Sequence, residues 1–198
     1  RTMNERPRST AIHEAGHALA FWWNGQPIKR VTVRTRAEAR AGPMFDLLGH
    51  PQHAEGLVEA DYLVLRPAFT ARGIAEYLPS MVDFIERDLI HCFSGPVAEA
   101  IYRHRQSDRL FRSSGRADLV RGHELISLLP PRLLLDAESR AIARSSCLVH
   151  RYWFAVRAVA DLLQEQGAIE GETVTALLHE ITGEAPVRLG NEVRSLDS

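Results

Sequence analysis

Lysine is nearly missing from this sequence. Lys29 is the single lysine among 24 basic residues, and it follows Ile28, whereas a phosphate-binding loop of the Walker type needs Gly directly before its Lys. An ATP site of that kind is excluded. Cysteine is almost as scarce, with only Cys92 and Cys147 in 198 residues, which argues against a disulfide framework or a Cys-based zinc site and leaves both as small core residues. Net charge is lacking too: 24 basic against 25 acidic residues leave a formal charge of -1, so nothing electrostatic calls for nucleic acid or an anionic membrane as partner. Basic clusters such as Arg34 to Arg40 are too short to change that. No apolar run approaches the roughly 18 to 20 residues that span a bilayer, and no signal peptide is visible. The expectation is a soluble, cytoplasmic chain with no membrane segment, 45% hydrophobic and able to bury a core as one larger domain or two small ones.

What is present centres on Ser9 to Asn24, STAIHEAGHALAFWWN. His13, Glu14 and His17 spell H-E-x-x-H inside a stretch that reads as helix, with Ser9 or Thr10 as N-cap and Gly25 as stop. At about 3.6 residues per turn, positions four apart share a face, so both imidazoles can grip one metal ion. Glu14 lies roughly 100° round the helix from His13, which suits contact with a water on the metal better than ligation. Gly16 costs about 1 kcal/mol relative to Ala in a helix interior and implies a packing reason. The opposing reading is an amphipathic helix with two surface histidines.

Residues 1–8 read as a polar tether, 9–182 as one domain and 183–198 as a frayed tail. Ile28 to Thr35 alternates like a strand and Ala41 to Phe45 offers a second, with Arg36 to Arg40 as a turn between them. Asp46 to Gly56 reads as loop, its His50 and His53 solvated. Leu57 to Leu65 and Thr70 to Tyr77 read as helical, and Pro79 opens a long helix that Gly95-Pro96 should bend or split. His91 and Cys92 fall on its apolar face as core residues. Arg116 to Leu129, Asp136 to Gln166 and Glu170 to Glu180 complete a mainly α (α+β) chain with a two- or three-stranded sheet beside the first helix.

A catalytic zinc takes three protein ligands, so His13 and His17 need a partner. The metzincin arrangement is excluded because Trp23 stands where its third histidine belongs. Glu99, in an apolar helical run, and Asp118, at the start of a helix after Ser113-Ser114-Gly115, both remain open.

Three stretches in this order, STAIHEAGHALA, CFSGPVAEAIY and SSGRADLVRGHELI, resemble the peptidase domain of FtsH-type ATP-dependent zinc metallopeptidases. The second is similar to that family's GGRAAEE segment, with Pro96 where the family has Gly or Arg, and the third to its TGASNDLxxAT segment. LVHRYWFAVRAVADLLQEQGAIEGETV is similar to the family's closing helices, so the likeness covers most of Ser9 to Leu178. It implies a helical, zincin-like domain in which His13, His17 and Asp118 hold Zn2+, Glu14 is the catalytic base and Glu99 is structural.

The function so implied is zinc-dependent endopeptidase hydrolysis of unfolded or accessible polypeptides, with Glu14 taking a proton from the water on the metal. The family's ATPase module is absent from these residues, so hydrolysis should need no ATP, and the likeness leaves room for an oligomer or a separate ATPase partner. The strand Ile28 to Thr35, placed at a sheet edge, would pair with extended substrate. Activity should fall as pH drops through the histidine range near 6.5. The alternative is a non-catalytic metal-binding module, interacting or regulatory, in which Glu14 would have no use.

Overall fold

The computed structural model describes residues 4–105 and 114–185. At its centre lies α1, Arg8–Trp23, a helix whose residues are buried without interruption from Ala11 to Trp23. It is covered by α4, Ser80–Arg103, by α8, Trp153–Gln166, and by an antiparallel sheet of β4, Gly56–Ala60, β1, Ile28–Val33, and β5, Ala168–Glu170, in that order. Between these run α2, Arg36–Ala41, and a two-stranded hairpin of β2, Met44–Phe45, and β3, Pro51–Gln52. The helices α3, Ile74–Tyr77, α5, Arg116–Ile126, α6, Pro131–Leu134, α7, Ala137–Arg151, and α9, Gly171–Thr182, complete the described chain.

The close approach of α1 and α4 explains Gly16. A Cβ built there would stand 2.5 Å from the Ser94 carbonyl oxygen and 2.7 Å from Ala98 Cβ. The helices must therefore part if the position carries a side chain. Gly16→Ala should gain about 1 kcal/mol of helix propensity and lose roughly 1–3 kcal/mol to overpacking. The expected result is a lower melting temperature, and a thermal unfolding curve identical to that of the native chain would contradict it.

Helix α1 starts two or three residues earlier than the expected caps imply, at Arg8, with Pro7 preceding it and no side-chain cap. Thr10 instead donates its hydroxyl to Glu55 Oε2 (3.2 Å), while Arg8 is drawn to Asp161 on α8 (2.6 Å). The expected tether is anchored as well, since Arg6 donates to the Val33 and Gln164 carbonyls at 3.1 and 3.0 Å. Gly25, at φ 71°, ends the helix as foreseen.

Several expectations fail for reasons of tertiary context. Leu57 to Leu65 is not helical: its first part is β4, because an apolar run this short is ambiguous alone and β1 supplies the ladder, pairing Val31 with Val58 and Val33 with Gly56. β1 consequently lies at the sheet's centre, flanked by β4 and the unforeseen β5, and cannot pair with a substrate. A register shift between Ile28 and Arg30 lets Ile28 and Val31, three residues apart, both face the core. Arg36 to Arg40 is helix, started by a capping box in which Thr35 Oγ1 accepts from Glu38 N–H and Glu38 from Thr35 N–H. The expected loop from Asp46 to Gly56 contains β3, and Thr70 to Tyr77 is helical only from Ile74.

Two long helices also differ. Gly95-Pro96 does not split α4, which runs unbroken to Arg103 with its proline face seated in the core. Asp136 to Gln166 is two helices parted at Tyr152, whose buried ring turns towards Trp22 and Trp23 at 6.2 and 5.4 Å while its hydroxyl donates to Glu184. Of the expected tail, residues 186–198 lie outside the described residues, as do 106–113 of the loop before α5 and residues 1–3 of the tether. Among the described residues no helix is long and apolar enough to cross a membrane.

Candidate metal centre

Two elements bring one donor cluster together. α1 presents His13 and His17 on one face, and α5 delivers Asp118 from its first turn. The Nε2 atoms of the two imidazoles are 3.1 Å apart, and the Asp118 carboxylate oxygens stand 3.3 Å from His13 Nε2 and 3.4 Å from His17 Nε2. A tetrahedral ion held at about 2.0–2.1 Å separates its donors by about 3.3 Å, so the cluster is spaced closely enough to hold a metal ion. Of the two candidates for third ligand, Asp118 is the one in this cluster.

The outer nitrogens decide the chemistry of the inner ones. His17 Nδ1 faces the His91 carbonyl at 2.6 Å and must donate to it, and His13 Nδ1 donates to Glu99 Oε2 at 3.1 Å. In neutral rings both Nε2 atoms then carry lone pairs. Two lone pairs and a carboxylate converge with no donor between them, an arrangement that requires a cation or a proton. Glu99 is thus the carboxylate that orients His13, itself held by Ser114 Oγ (2.7 Å) and Arg103 Nε (2.7 Å). Its role as orienting partner was not foreseen, although the Arg103 pair one turn on is an ordinary helix spacing.

Titration in the metal-free chain follows from the same contacts. Burial pulls the His13 pKa down, but hydrogen bonds to Asp118 and Glu99 and the nearby Glu14 charge outweigh it and raise it to about 10. Burial likewise works against the Asp118 charge, yet the two histidines hold its carboxyl well below the usual range. Glu99 is lowered despite its burial, chiefly by His13 and Ser114.

The sign of the consequence is definite. A His13 pKa raised from 6.5 to about 10 stabilises the metal-free fold fully below about 6.5, and that contribution is lost as pH rises through about 10. A metal and this proton compete for one nitrogen. Metal uptake at pH 7 should therefore release a proton and tighten with rising pH well above 6.5, a wider range than unperturbed histidine gives. Calorimetric titration in buffers of different ionisation enthalpy measures this, and uptake with no proton released would rule it out.

Glu14 sits beside the cluster without joining it. Burial raises its pKa, partly offset by His13 and His17, and among the described residues no hydrogen bond engages its carboxylate. Its wall is Gly56 of β4, where an added Cβ would lie 2.4 Å from Glu14 Oε1 and 2.6 Å from its Cγ. The backbone of the sheet's edge strand thus abuts the carboxylate directly, a juxtaposition that no local sequence signal announces. Gly56→Ala is expected to displace the carboxylate and, by overpacking, to lower the melting temperature, and an unchanged thermal unfolding curve would show the contact to be loose.

The remaining histidines stay outside. His50 and His53 are exposed, and His91 is buried against Phe21, with Asn24 Nδ2 at 2.8 Å from its Nε2. Below the site, buried Asp88 accepts from the Leu63 and Val64 N–H groups and fixes the segment that follows β4. No family model matches the chain, and no curated protein matches it.

Proposed function

We propose that this chain is a zinc-dependent endopeptidase of the kind its FtsH-like motifs suggest, cutting unfolded or accessible polypeptide without nucleotide. The observation that carries the reading is the position of Glu14, a buried carboxylate with no hydrogen-bond partner among the described residues, beside a His13, His17 and Asp118 donor set and against the strand that forms the edge of the described sheet. A non-catalytic metal site has no use for it. The two imidazoles and one carboxylate suit zinc, which when bound supplies Lewis-acid polarisation of a peptide carbonyl and activation of water.

The chain's own residues perform the rest. Extended polypeptide adds to the outer edge of β4 through backbone hydrogen bonds, which gives broad sequence tolerance and brings a peptide bond level with Gly56. Glu14, its pKa raised by burial, accepts a proton from the attacking water and returns it to the leaving amine nitrogen. Glu99 keeps the His13 ring in register, and Asp118 lessens the positive charge of the ligand set.

Unfolding of a substrate is not part of this proposed activity. Lys29, the only lysine, lies on β1 and pairs with Asp61 rather than serving a phosphate loop. Zinc-loaded protein should degrade casein and spare a tightly folded protein, at a rate that ATP does not alter. Stimulation by ATP, or no cleavage of any unfolded protein by the zinc-loaded chain, would overturn this reading.

A further inference from the structure

We infer that Gly95 is a positioning residue for His17: the side-chain-free backbone of α4 is the surface that aims this imidazole into the donor cluster. The inference rests on the metal-site part of the proposed function and not on the peptidase part. A Cβ built on Gly95 would stand 2.2 Å from His17 Nε2, 2.5 Å from Cδ2 and 2.7 Å from Cε1. All three nearest atoms belong to that ring. One turn earlier on the same helix, the His91 carbonyl accepts from His17 Nδ1 at 2.6 Å. The ring is therefore fixed by α4 at two points, one on its donor edge and one against its ligating edge.

Backbone conformation does not account for glycine here; within the α1–α4 contact, what the missing side chain makes room for is the His17 ring. Position 95 is inside an α-helix and does not have a positive φ, so alanine suits its conformation and has the higher helix propensity. Gly16, at the same helix contact, differs in kind, because its added Cβ meets the Ser94 carbonyl oxygen, Ala98 and the Gly95 Cα, none of them a donor atom. A methyl at 16 pushes on the opposite helix, whereas a methyl at 95 pushes on a ligand. With the ring turned aside, its Nε2 leaves the 3.1 Å and 3.4 Å approaches to His13 and Asp118 on which the donor set depends.

The test is a double-mutant cycle read by stability and by metal affinity. In Gly95→Ala, competition with a zinc-binding dye should show affinity reduced at least tenfold, and cobalt(II) substituted as a probe should give a changed d–d spectrum. In metal-free protein, any stability lost on Gly95→Ala should be absent when His17→Ala is already present, because the methyl then has no ring to strike. Affinity equal to that of the native chain, or the same stability loss with and without the His17 ring, would overturn the inference. The cycle also keeps the test valid if Gly95→Ala alone unfolds, since the double variant should then refold. Native protein that binds zinc but cuts nothing would end the peptidase reading and leave this inference standing. Gly95→Ala that binds zinc normally would do the reverse.

Discussion

Glu14→Gln is expected to leave the fold and the zinc content intact and to lower kcat by about 10²–10⁴, the contribution typical of a general base. The substitution is nearly isosteric, so the contact with Gly56 persists, and Glu14 is not one of the three donors. What disappears is the capacity to accept a proton. In barrier terms the loss is roughly 3–5 kcal/mol, appearing in kcat with little change in KM if the side chain acts in the chemical step and not in binding. Residual activity within about tenfold of native, a change near 1.4 kcal/mol, would mean that another group is the base.

A second large effect separates the two acidic residues. Asp118→Ala should abolish zinc binding and hydrolysis together, because it removes one of three converging donors and leaves two lone pairs 3.1 Å apart. Glu99→Ala should keep the site but weaken zinc by about 10–100-fold, as loss of an outer-sphere partner to a ligating histidine does. It should also cost stability, since the buried Glu99 carboxylate is the acceptor shared by His13, Ser114 and Arg103. Metal analysis after dialysis against graded zinc concentrations distinguishes the two. If zinc stayed with Asp118→Ala and left with Glu99→Ala, the ligand assignment and the family likeness built on it would both have to be withdrawn.

The site was more legible in the sequence than the sheet was. H-E-x-x-H is a local pattern whose geometry follows from helical periodicity, and α1 presents it as that periodicity requires. Asp118 was reachable only through the ordered likeness of three motifs, because no local rule distinguishes it from Glu99. Gly56 and the orienting role of Glu99 were out of reach, since both depend on contacts between elements distant in the chain. The same physics explains β4 and β5. Neither run is long enough for its period to declare itself, and what makes each a strand is its pairing with β1. Tyr152 shows the converse: apolar periodicity continues through the junction of α7 and α8, so the break is visible only where the ring turns into the aromatic cluster of α1. The Thr35 and Glu38 capping box, by contrast, stands in the sequence as the local pattern T-x-x-E.

The central claim is that one zinc, held by His13, His17 and Asp118, is what lets Glu14 drive peptide hydrolysis. The most direct measurement titrates zinc into metal-free protein while following casein cleavage in the same samples, with Glu14→Gln alongside. The account requires cleavage to rise in proportion to bound zinc and to saturate at one ion per chain, with Glu14→Gln binding the same ion and cutting about 10²–10⁴-fold more slowly. Cleavage that proceeds without zinc, or zinc bound at one per chain with no cleavage by the native protein, would contradict it.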